Sequence, residues 1–316
     1  MQQGSRSGRS RCLRLVLALL ALAGIGAGLA FAEPRLLEER ASTYNNIYVY
    51  KDGSNVLMTF GHNRRFYTES IYDSTDELAL PVTYTRFMTV GLAYASAADN
   101  LLEIGFGGGR TAWYLHKHMP RLDITCVELD PAVVELAQKH FGVKPEDRFK
   151  IVTADGRSYL TKSRDSWNVI MIDAYRGPFV PFHLLTEEFY KGVKSKLKPG
   201  GVVVQNVEPS TMMFDSAIAT ISKVFANVEV FDAGGNIVTV AYDGPKRSQA
   251  ELAARAAVLQ QQHNFVYPLE AFLPERRTVT RTRGKVLTDD FAPVESLLAI
   301  EKHNRKLDDF SEPVAK

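Results

Sequence analysis

The sequence predicts an α/β protein whose core is a doubly wound parallel sheet, preceded by a small N-terminal β-domain. Two observations lead to this prediction. Between residues 81 and 245, apolar strand-like runs alternate with helical segments, which is typical of parallel strands covered by helices on both faces. Before residue 81, two alternating runs flank an Asp-Gly turn, which indicates an antiparallel hairpin.

The N-terminal β-domain is assigned to residues 33–80. The runs 46–50 and 55–60 have the alternation of half-buried strands, and Asp52-Gly53 between them supplies a tight turn. We therefore expect these two runs to pair as an antiparallel hairpin.

Residues 81–245 are assigned to a Rossmann-like domain that binds an adenosyl ligand. Helices are expected over residues 110–118 and 131–141, the second with a proline at its start. Strands are expected at 101–104, 124–127, 150–152, 169–172 and 202–205. Residues 246–300 are assigned to a C-terminal helix, expected over 249–262, and a closing segment. Residues 301–316 are expected to be a mobile tail.

Residues 1–32 have the features of a secretory signal peptide. Four arginines, from Arg6 to Arg14, precede an uncharged apolar run that ends in Ala30-Phe31-Ala32, a small-x-small pattern. We therefore expect an exported chain, either periplasmic or secreted. The alternative is an uncleaved membrane anchor over residues 13–32, since about 20 apolar residues can span a bilayer.

The overall composition excludes several classes of protein. The chain has 316 residues, 45% of them hydrophobic and 23% charged, and its formal net charge is +2. These values exclude a collagen-like, wholly disordered or multi-span membrane protein. The charge gives no reason to expect nucleic acid as a partner. The two cysteines, Cys12 and Cys126, have no metal-binding spacing, so we expect no metal.

The first predicted strand of the core runs into a glycine-rich loop, Gly105-Phe106-Gly107-Gly108-Gly109. Gly105, Gly107 and Gly109 would allow a tight turn and let a ligand lie against backbone N–H groups. In open α/β sheets, ligands bind beyond the carboxyl ends of the strands. This loop is therefore a candidate ligand site.

Acidic residues follow the next three predicted strands. Glu128 comes 20 residues after Gly108, where a carboxylate can accept both ribose hydroxyls, and Asp130 follows it. Asp155-Gly156 ends the third strand, where an Asp can accept from the exocyclic amine of adenine. Asp173 ends the fourth strand. Each acid alone could simply cap a helix, but their recurrence at successive strand tips favours a nucleoside pocket.

Two common nucleotide motifs do not fit the glycine-rich loop. Gly-x-Gly-x-x-Gly would require a small residue where Arg110 stands, and the Lys-Ser/Thr of a P-loop is missing. A ligand of the adenosyl class, such as S-adenosylmethionine, remains.

The chain resembles the polyamine aminopropyltransferases, the spermidine and spermine synthases, and in particular their bacterial spermidine-synthase-like branch. The resemblance rests on the glycine-rich run, on Glu128-Leu129-Asp130, Asp155-Gly156 and Asp173, and on the segments 184–190 and 197–201. Thr288-Asp289-Asp290 begins a C-terminal segment that is similar to the one in bacterial spermidine-synthase-like proteins. The resemblance implies a class I S-adenosylmethionine methyltransferase-like core.

By this resemblance, Glu128 would hold the ribose and Asp155 the adenine of decarboxylated S-adenosylmethionine or S-adenosylmethionine. Asp173 would be the base that deprotonates the attacking amine. The acceptor would be a small molecule of the polyamine class. Tyr84, Arg86, Tyr175 and Arg176 are candidates for contacting it.

The acceptor half of the motif departs from the family. Gly108 stands where the family's glycine loop usually carries an Asp, and Arg176 where the strand-four motif has its second Asp. Like charges about 4 Å apart cost roughly 4 kcal/mol at an effective dielectric constant of 20. If Arg86 and Arg176 face the site, an acceptor with a carboxylate or phosphate would fit better than a diamine. Both arginines could instead face solvent or pair with nearby acids.

Three functions therefore stay open at this stage. The first is aminopropyl transfer, the second methyl transfer to a noncationic acceptor, and the third nucleoside binding without catalysis. Export fits the third best, because sulfonium nucleosides are made in the cytoplasm. An anchor helix that left the domain on the cytoplasmic side would remove this objection, yet a basic leader predicts translocation of the chain that follows it. A homodimer also stays open, and a membrane is expected as a partner only if the leader is uncleaved.

Overall fold

A computed structural model describes residues 33–62, 65–177, 179–211 and 213–290. The predicted signal peptide or anchor at 1–32 and the predicted mobile tail at 301–316 lie outside these residues. Among the residues described, no helix is both long and apolar enough to cross a bilayer.

The N-terminal part of the described chain forms a four-stranded antiparallel sheet in the order β1-β2-β3-β4. Asp52 pairs with Asn55, and Gly53 has the positive φ of +56° that a tight hairpin turn requires. The predicted hairpin is therefore present, with one further strand on each side. The bounds are β1 Arg35–Ala41, β2 Asn46–Asp52, β3 Asn55–His62 and β4 Arg65–Asp73.

The central sheet has eight strands in the order β12-β10-β11-β9-β8-β5-β6-β7. Strands β5 to β9 run parallel to one another. The bounds are β5 Asn100–Ile104, β6 Asp123–Glu128, β7 Phe149–Thr153, β8 Trp167–Ile172, β9 Leu197–Val207, β10 Asn227–Asp232, β11 Ile237–Tyr242 and β12 Arg276–Thr278.

Eight α-helices connect or cover the strands in the described part of the chain. Their bounds are α1 Thr83–Met88, α2 Gly91–Tyr94, α3 Arg110–His118, α4 Pro131–His140, α5 Gly156–Lys162, α6 Glu187–Ser195, α7 Phe214–Val224 and α8 Gln249–His263. Two 3₁₀ segments, Phe182–Leu184 and Leu269–Glu275, complete the regular structure.

Strand β5 lies between β6 and β8, so the chain builds the sheet outward in one direction and then crosses to build the other half. This reversal is the switch point of a doubly wound sheet, where the loops after neighbouring strands diverge and leave a crevice. Buried apolar residues cover both faces of the sheet, as the alternation of strands and helices predicts.

The last three strands depart from the predicted parallel sheet. Strand β10 pairs antiparallel with both β11 and β12, and β11 pairs antiparallel with β9. The physical reason is the short connection between β10 and β11, which contains Gly234 and Gly235 with positive φ, because a few residues can join only antiparallel neighbours. Glu229, fully buried on β10, pairs with Arg276 and fixes β12 to the sheet edge.

Candidate active site

A cavity of about 390 Å³ lies at the carboxyl ends of β5, β6, β7 and β8. The N-terminal sheet closes it with residues 69–71 of β4, and residues 80–85 before and within α1 form another wall. The volume suits a drug-sized small molecule. The cavity therefore lies at the switch point, where the sequence predicts a ligand.

The glycine-rich loop forms the floor of this cavity. Gly105 has a φ of +91°, and any side chain there would collide with the backbone of Asp173 and Ala174. Gly107 also lines the cavity, and the Gly108 N–H donates to Ser70 Oγ over 2.8 Å. Gly109 has a different position from the one predicted, because it begins α3 as its N-cap and is not among the residues lining the cavity.

The Glu128 carboxylate accepts hydrogen bonds from the backbone of the glycine-rich loop. Its Oε2 accepts from the N–H groups of Phe106 at 3.0 Å and Gly107 at 3.3 Å, and its Oε1 accepts from the Asp130 N–H at 3.0 Å. Burial raises the pKa of this carboxyl, and the three N–H bonds oppose that effect. Both carboxylate oxygens are thus held by backbone N–H groups, while the residue also lines the cavity.

Asp130 and Asp155 both cap helices, as the simpler interpretation of the sequence suggested, and both also line the cavity. Asp130 accepts from the Ala132 N–H at 3.0 Å, from the Ser42 hydroxyl at 2.5 Å and from Asn45 Nδ2 at 3.2 Å. These bonds engage both of its oxygens, so its geometry fits a cap and a link to the N-terminal segment better than a ligand contact.

Asp155 accepts from the Ser158 N–H at 2.8 Å, which caps α5, and its other oxygen lies 3.1 Å from His183 Nε2. Gly156 follows it in the cavity wall, where an added Cβ would meet the Ile104 side chain. Sequence reasoning missed His183. Nearby, Arg157 forms a bidentate pair with Asp289, which anchors the predicted Thr288-Asp289-Asp290 ending beside α5.

Asp173 follows the last residue of β8 and is held by both its backbone and its carboxylate. The backbone N–H donates to Ile104 O at 2.8 Å. Its Oδ2 accepts from the Tyr84 hydroxyl at 3.1 Å, and its Oδ1 accepts from Asn206 Nδ2 at 2.9 Å. Burial raises the pKa of Asp173 to about 6, and the bonds from Asn206 and Tyr84 oppose the rise. A carboxylate with such a pKa is mostly ionised at neutral pH and can accept a proton.

The four predicted acceptor residues have three different environments. Tyr84 and Tyr175 line the cavity, and the Tyr175 hydroxyl is buried without a hydrogen-bond partner among the described residues. Arg176 lies at the cavity wall, but it is exposed to solvent. The prediction for Arg86 is wrong: its Nε donates to Leu80 O at 2.6 Å and its guanidinium lies over the Tyr267 ring at 4.5 Å, away from the cavity.

Sequence reasoning missed two cavity carboxylates with strongly altered pKa values. Glu69 on β4 has a pKa raised to about 8 by burial and by the charges of Asp173 and Glu128. Glu103 on β5 is 3% exposed, and burial with the charge of Asp173 raises its pKa to about 8. A usable signal existed for Glu103, because an acid interrupts the apolar run of a buried strand.

Among the charged side chains that line the cavity, carboxylates outnumber arginines. Arg110 reaches the wall, but its guanidinium donates to Phe141 O and Glu77 O and lies over the Tyr72 ring, 4.4 Å from its centroid. The solvent-exposed Arg176 is the other arginine in the wall. A ligand that carries positive charge would therefore meet uncompensated carboxylates here.

Comparison with known proteins assigns a family to this arrangement. A family model for the Spermine/spermidine synthase domain matches residues 82–234. A polyamine aminopropyltransferase from Vibrio vulnificus is 26% identical over 298 residues, which cover 90% of this chain and 98% of that protein. One from Chromobacterium violaceum is 30% identical over 194 residues, which cover 60% of this chain and 74% of that protein.

Two solved structures share the fold. A spermidine synthase in complex with the transition-state analogue AdoDATO aligns with a TM-score of 0.60 and 23% identity, over 76% of this chain and 84% of that one. Human methyltransferase-like protein 13 in complex with SAH aligns with a TM-score of 0.53 and 26% identity, over 67% of this chain and 98% of that one. The predicted class I methyltransferase-like core with an N-terminal β-domain is thereby confirmed.

The family model includes the tips of the four parallel strands that form the cavity, and the Chromobacterium violaceum relative extends the similarity to most of its own length. The chain therefore belongs to the polyamine aminopropyltransferase family of transferases.

Proposed function

We propose that this protein transfers an aminopropyl group from decarboxylated S-adenosylmethionine to an amine acceptor, with Asp173 as the general base. The observation that carries the proposal is the environment of Asp173. Its carboxylate lies in the cavity beside the glycine-rich loop, is oriented by Tyr84 and Asn206, and has a pKa of about 6.

The donor would occupy the half of the cavity next to the strand tips. Glu128 and Asp155 offer carboxylate oxygens to ribose hydroxyls and to the adenine amine, and the backbone of Gly105 and Gly107 allows close approach. The fit rests on the volume of the cavity and on its acidic wall, because the donor carries a sulfonium and an ammonium group.

The transfer is a displacement at the aminopropyl carbon attached to sulfur. The lone pair of the acceptor nitrogen forms a new C–N bond, the C–S bond breaks, and its electron pair stays on sulfur as methylthioadenosine leaves. The nitrogen loses one proton, which Asp173 accepts. Alignment of the two reactants and one base supply most of what this reaction needs, because the sulfonium is already a good leaving group.

Two contacts orient the base for this role. Tyr84 donates to one carboxylate oxygen and Asn206 to the other, and Asn206 Oδ1 in turn accepts from Asn236 Nδ2 at 3.0 Å. Asn206 is buried on β9, the strand next to β8. The base is therefore held from two elements, which limits its rotation.

The test is the Asp173→Asn variant, assayed by release of methylthioadenosine from decarboxylated S-adenosylmethionine with putrescine as acceptor. Loss of a general base should lower kcat by about 10²- to 10⁴-fold. Asp99→Asn is the matched control, because Asp99 is exposed at the start of β5, at the opposite end of the strand. Unchanged release by Asp173→Asn would overturn the assignment of the base.

A second candidate is methyl transfer from S-adenosylmethionine. It is favoured by the similarity to human methyltransferase-like protein 13, whose structure holds SAH. Calorimetry with S-adenosylmethionine and its decarboxylated form separates the two candidates. Stronger binding of the carboxylated donor would favour methyl transfer, whereas stronger binding of the decarboxylated donor supports aminopropyl transfer.

A further inference from the structure

Glu69 is a partly buried acid, one of whose carboxylate oxygens has no partner among the described residues. It lies on β4, and β4 brings it from the N-terminal sheet into the cavity wall. Its Oε1 is buried and makes no hydrogen bond within the described chain. A buried polar group in this state costs free energy unless a partner is supplied, so Glu69 requires an explanation.

Among the described residues, the charges that act on Glu69 are of its own sign. Asp173 and Glu128 both act on it electrostatically, and together with burial they raise its pKa to about 8. Neither arginine of the cavity wall neutralises it: Arg110 donates to backbone carbonyls of Phe141 and Glu77, and Arg176 is exposed. A cation from outside the chain would satisfy Glu69 and relieve this repulsion.

We infer that Glu69 binds a primary ammonium group of a substrate. The inference rests on the proposed aminopropyl transfer, in which both reactants carry such a group. Three positions after Asp173, the cavity wall carries Arg176, a cation that offers no carboxylate to such a group. β4 of the N-terminal sheet supplies a carboxylate to the same cavity instead.

The assignment also changes the expectation for the acceptor. Arg86 and Arg176 are the reason to expect an acceptor with a carboxylate or phosphate, but Arg86 lies over Tyr267, and Arg176, although in the cavity wall, is exposed to solvent. The buried acids that remain near Asp173 are Glu69, Glu103 and Glu128, and a bound cation would favour their ionised forms. The cavity therefore selects a cationic substrate, and Glu69 contributes to that selection.

The ammonium group has two sources, the aminopropyl arm of the donor and the distal amine of a diamine acceptor. The test uses calorimetry with decarboxylated S-adenosylmethionine and with methylthioadenosine, which lacks the aminopropyl arm, together with the KM for putrescine and for butylamine. The variant is Glu69→Gln, and Glu69→Asp retains the charge. Glu270→Gln is the matched control, because Glu270 is exposed in the C-terminal 3₁₀ segment.

If Glu69 binds the donor arm, Glu69→Gln lowers the affinity for decarboxylated S-adenosylmethionine by about 10- to 100-fold, the usual effect of losing a hydrogen bond to a charged group. The affinity for methylthioadenosine stays unchanged. If it binds the acceptor, both nucleosides bind as before, and the KM for putrescine rises by a similar factor while that for butylamine does not. In either case, Glu69→Asp keeps more affinity than Glu69→Gln.

Unchanged donor affinity and unchanged putrescine KM in a folded Glu69→Gln protein would overturn the inference. So would equal losses for decarboxylated S-adenosylmethionine and methylthioadenosine, because a general distortion of the cavity affects both. The proposed function fails separately, when the wild-type protein binds the decarboxylated donor but releases no methylthioadenosine. Failure of the wild-type protein to bind either nucleoside would overturn both proposals.

Discussion

The hydrogen bond from Tyr84 to Asp173 allows a prediction about the pH dependence of the reaction. The Tyr84 hydroxyl donates to Asp173 Oδ2 over 3.1 Å, and this bond stabilises the ionised carboxylate. Tyr84→Phe removes the donor and little else, so it should raise the pKa of Asp173. The acid limb of the pH–rate profile should then move to higher pH, because Asp173 must be ionised to accept the proton.

The size of the shift follows from the strength of the bond. A hydrogen bond to a charged group contributes about 1.5–3 kcal/mol, and one pKa unit corresponds to about 1.36 kcal/mol. Water that enters the space of the missing hydroxyl recovers part of the free energy of this bond. We therefore expect the pKa of Asp173 to rise by about one unit, from about 6 to about 7. At pH 6, the ionised fraction of Asp173 would fall from about one half in the wild type to about one tenth in the variant, a fivefold loss. At pH 8, about nine tenths of Asp173 would be ionised in the variant.

The assay is kcat/KM for methylthioadenosine release between pH 5 and 9, which reports the essential groups of the free enzyme. Tyr50→Phe on β2 is the control, because Tyr50 does not line the cavity. Both profiles are recorded in the Glu69→Gln background, because Glu69, with a pKa of about 8, would otherwise add its own ionisation to the acid limb. A profile for Tyr84→Phe that is lowered equally at all pH values, or not changed, would refute the reasoning.

Three further predictions concern binding, stability and the N-terminus. Glu128→Gln should weaken binding of adenosyl ligands by about 1–3 kcal/mol, the cost of an unpaired buried partner, and unchanged affinity in calorimetry would remove Glu128 from the site. Glu69→Gln should stabilise the ligand-free protein at pH 8.5 but not at pH 4.5. The folded-state pKa of Glu69 is raised to about 8, whereas its unfolded value is 4.5. The wild-type protein therefore loses stability as the pH rises from 4.5 to about 8, and the variant does not. We expect a gain of roughly 4 kcal/mol at pH 8.5, or several degrees in Tm, and equal stability of variant and wild type at both pH values would contradict this. Finally, mass measurement of the chain purified from its native host should show removal of residues 1–32, and an intact N-terminus in the membrane fraction would favour the anchor instead.

The parallel core was predictable because its signals are local. Strand β5 followed by Gly105-Phe106-Gly107, and Asp52-Gly53 between two alternating runs, each specify a turn with few conformational alternatives. The position of an acid at the tip of a strand likewise fixes where Glu128, Asp155 and Asp173 lie, because the carboxyl ends of parallel strands share one edge of the sheet.

The missed features depend on contacts between residues far apart in sequence. The direction of Arg86 is set by Leu80 O and by the ring of Tyr267, about 180 residues away, which no local pattern can reveal. Glu69 lies on a polar strand whose partners come from the N-terminal sheet, so its position in the cavity follows only from how that sheet packs. Similarly, Oδ2 of Asp130 accepts hydrogen bonds from Ser42 and Asn45, about 85 residues before it.

The central claim is aminopropyl transfer, and its most direct test is identification of the products. The protein would be incubated with putrescine and either decarboxylated S-adenosylmethionine or S-adenosylmethionine, and the products would be analysed by mass spectrometry. We expect methylthioadenosine and spermidine in equal amounts from the decarboxylated donor, and no transfer from the carboxylated one. A methylated amine formed only from S-adenosylmethionine, with no methylthioadenosine from the decarboxylated donor, would contradict it.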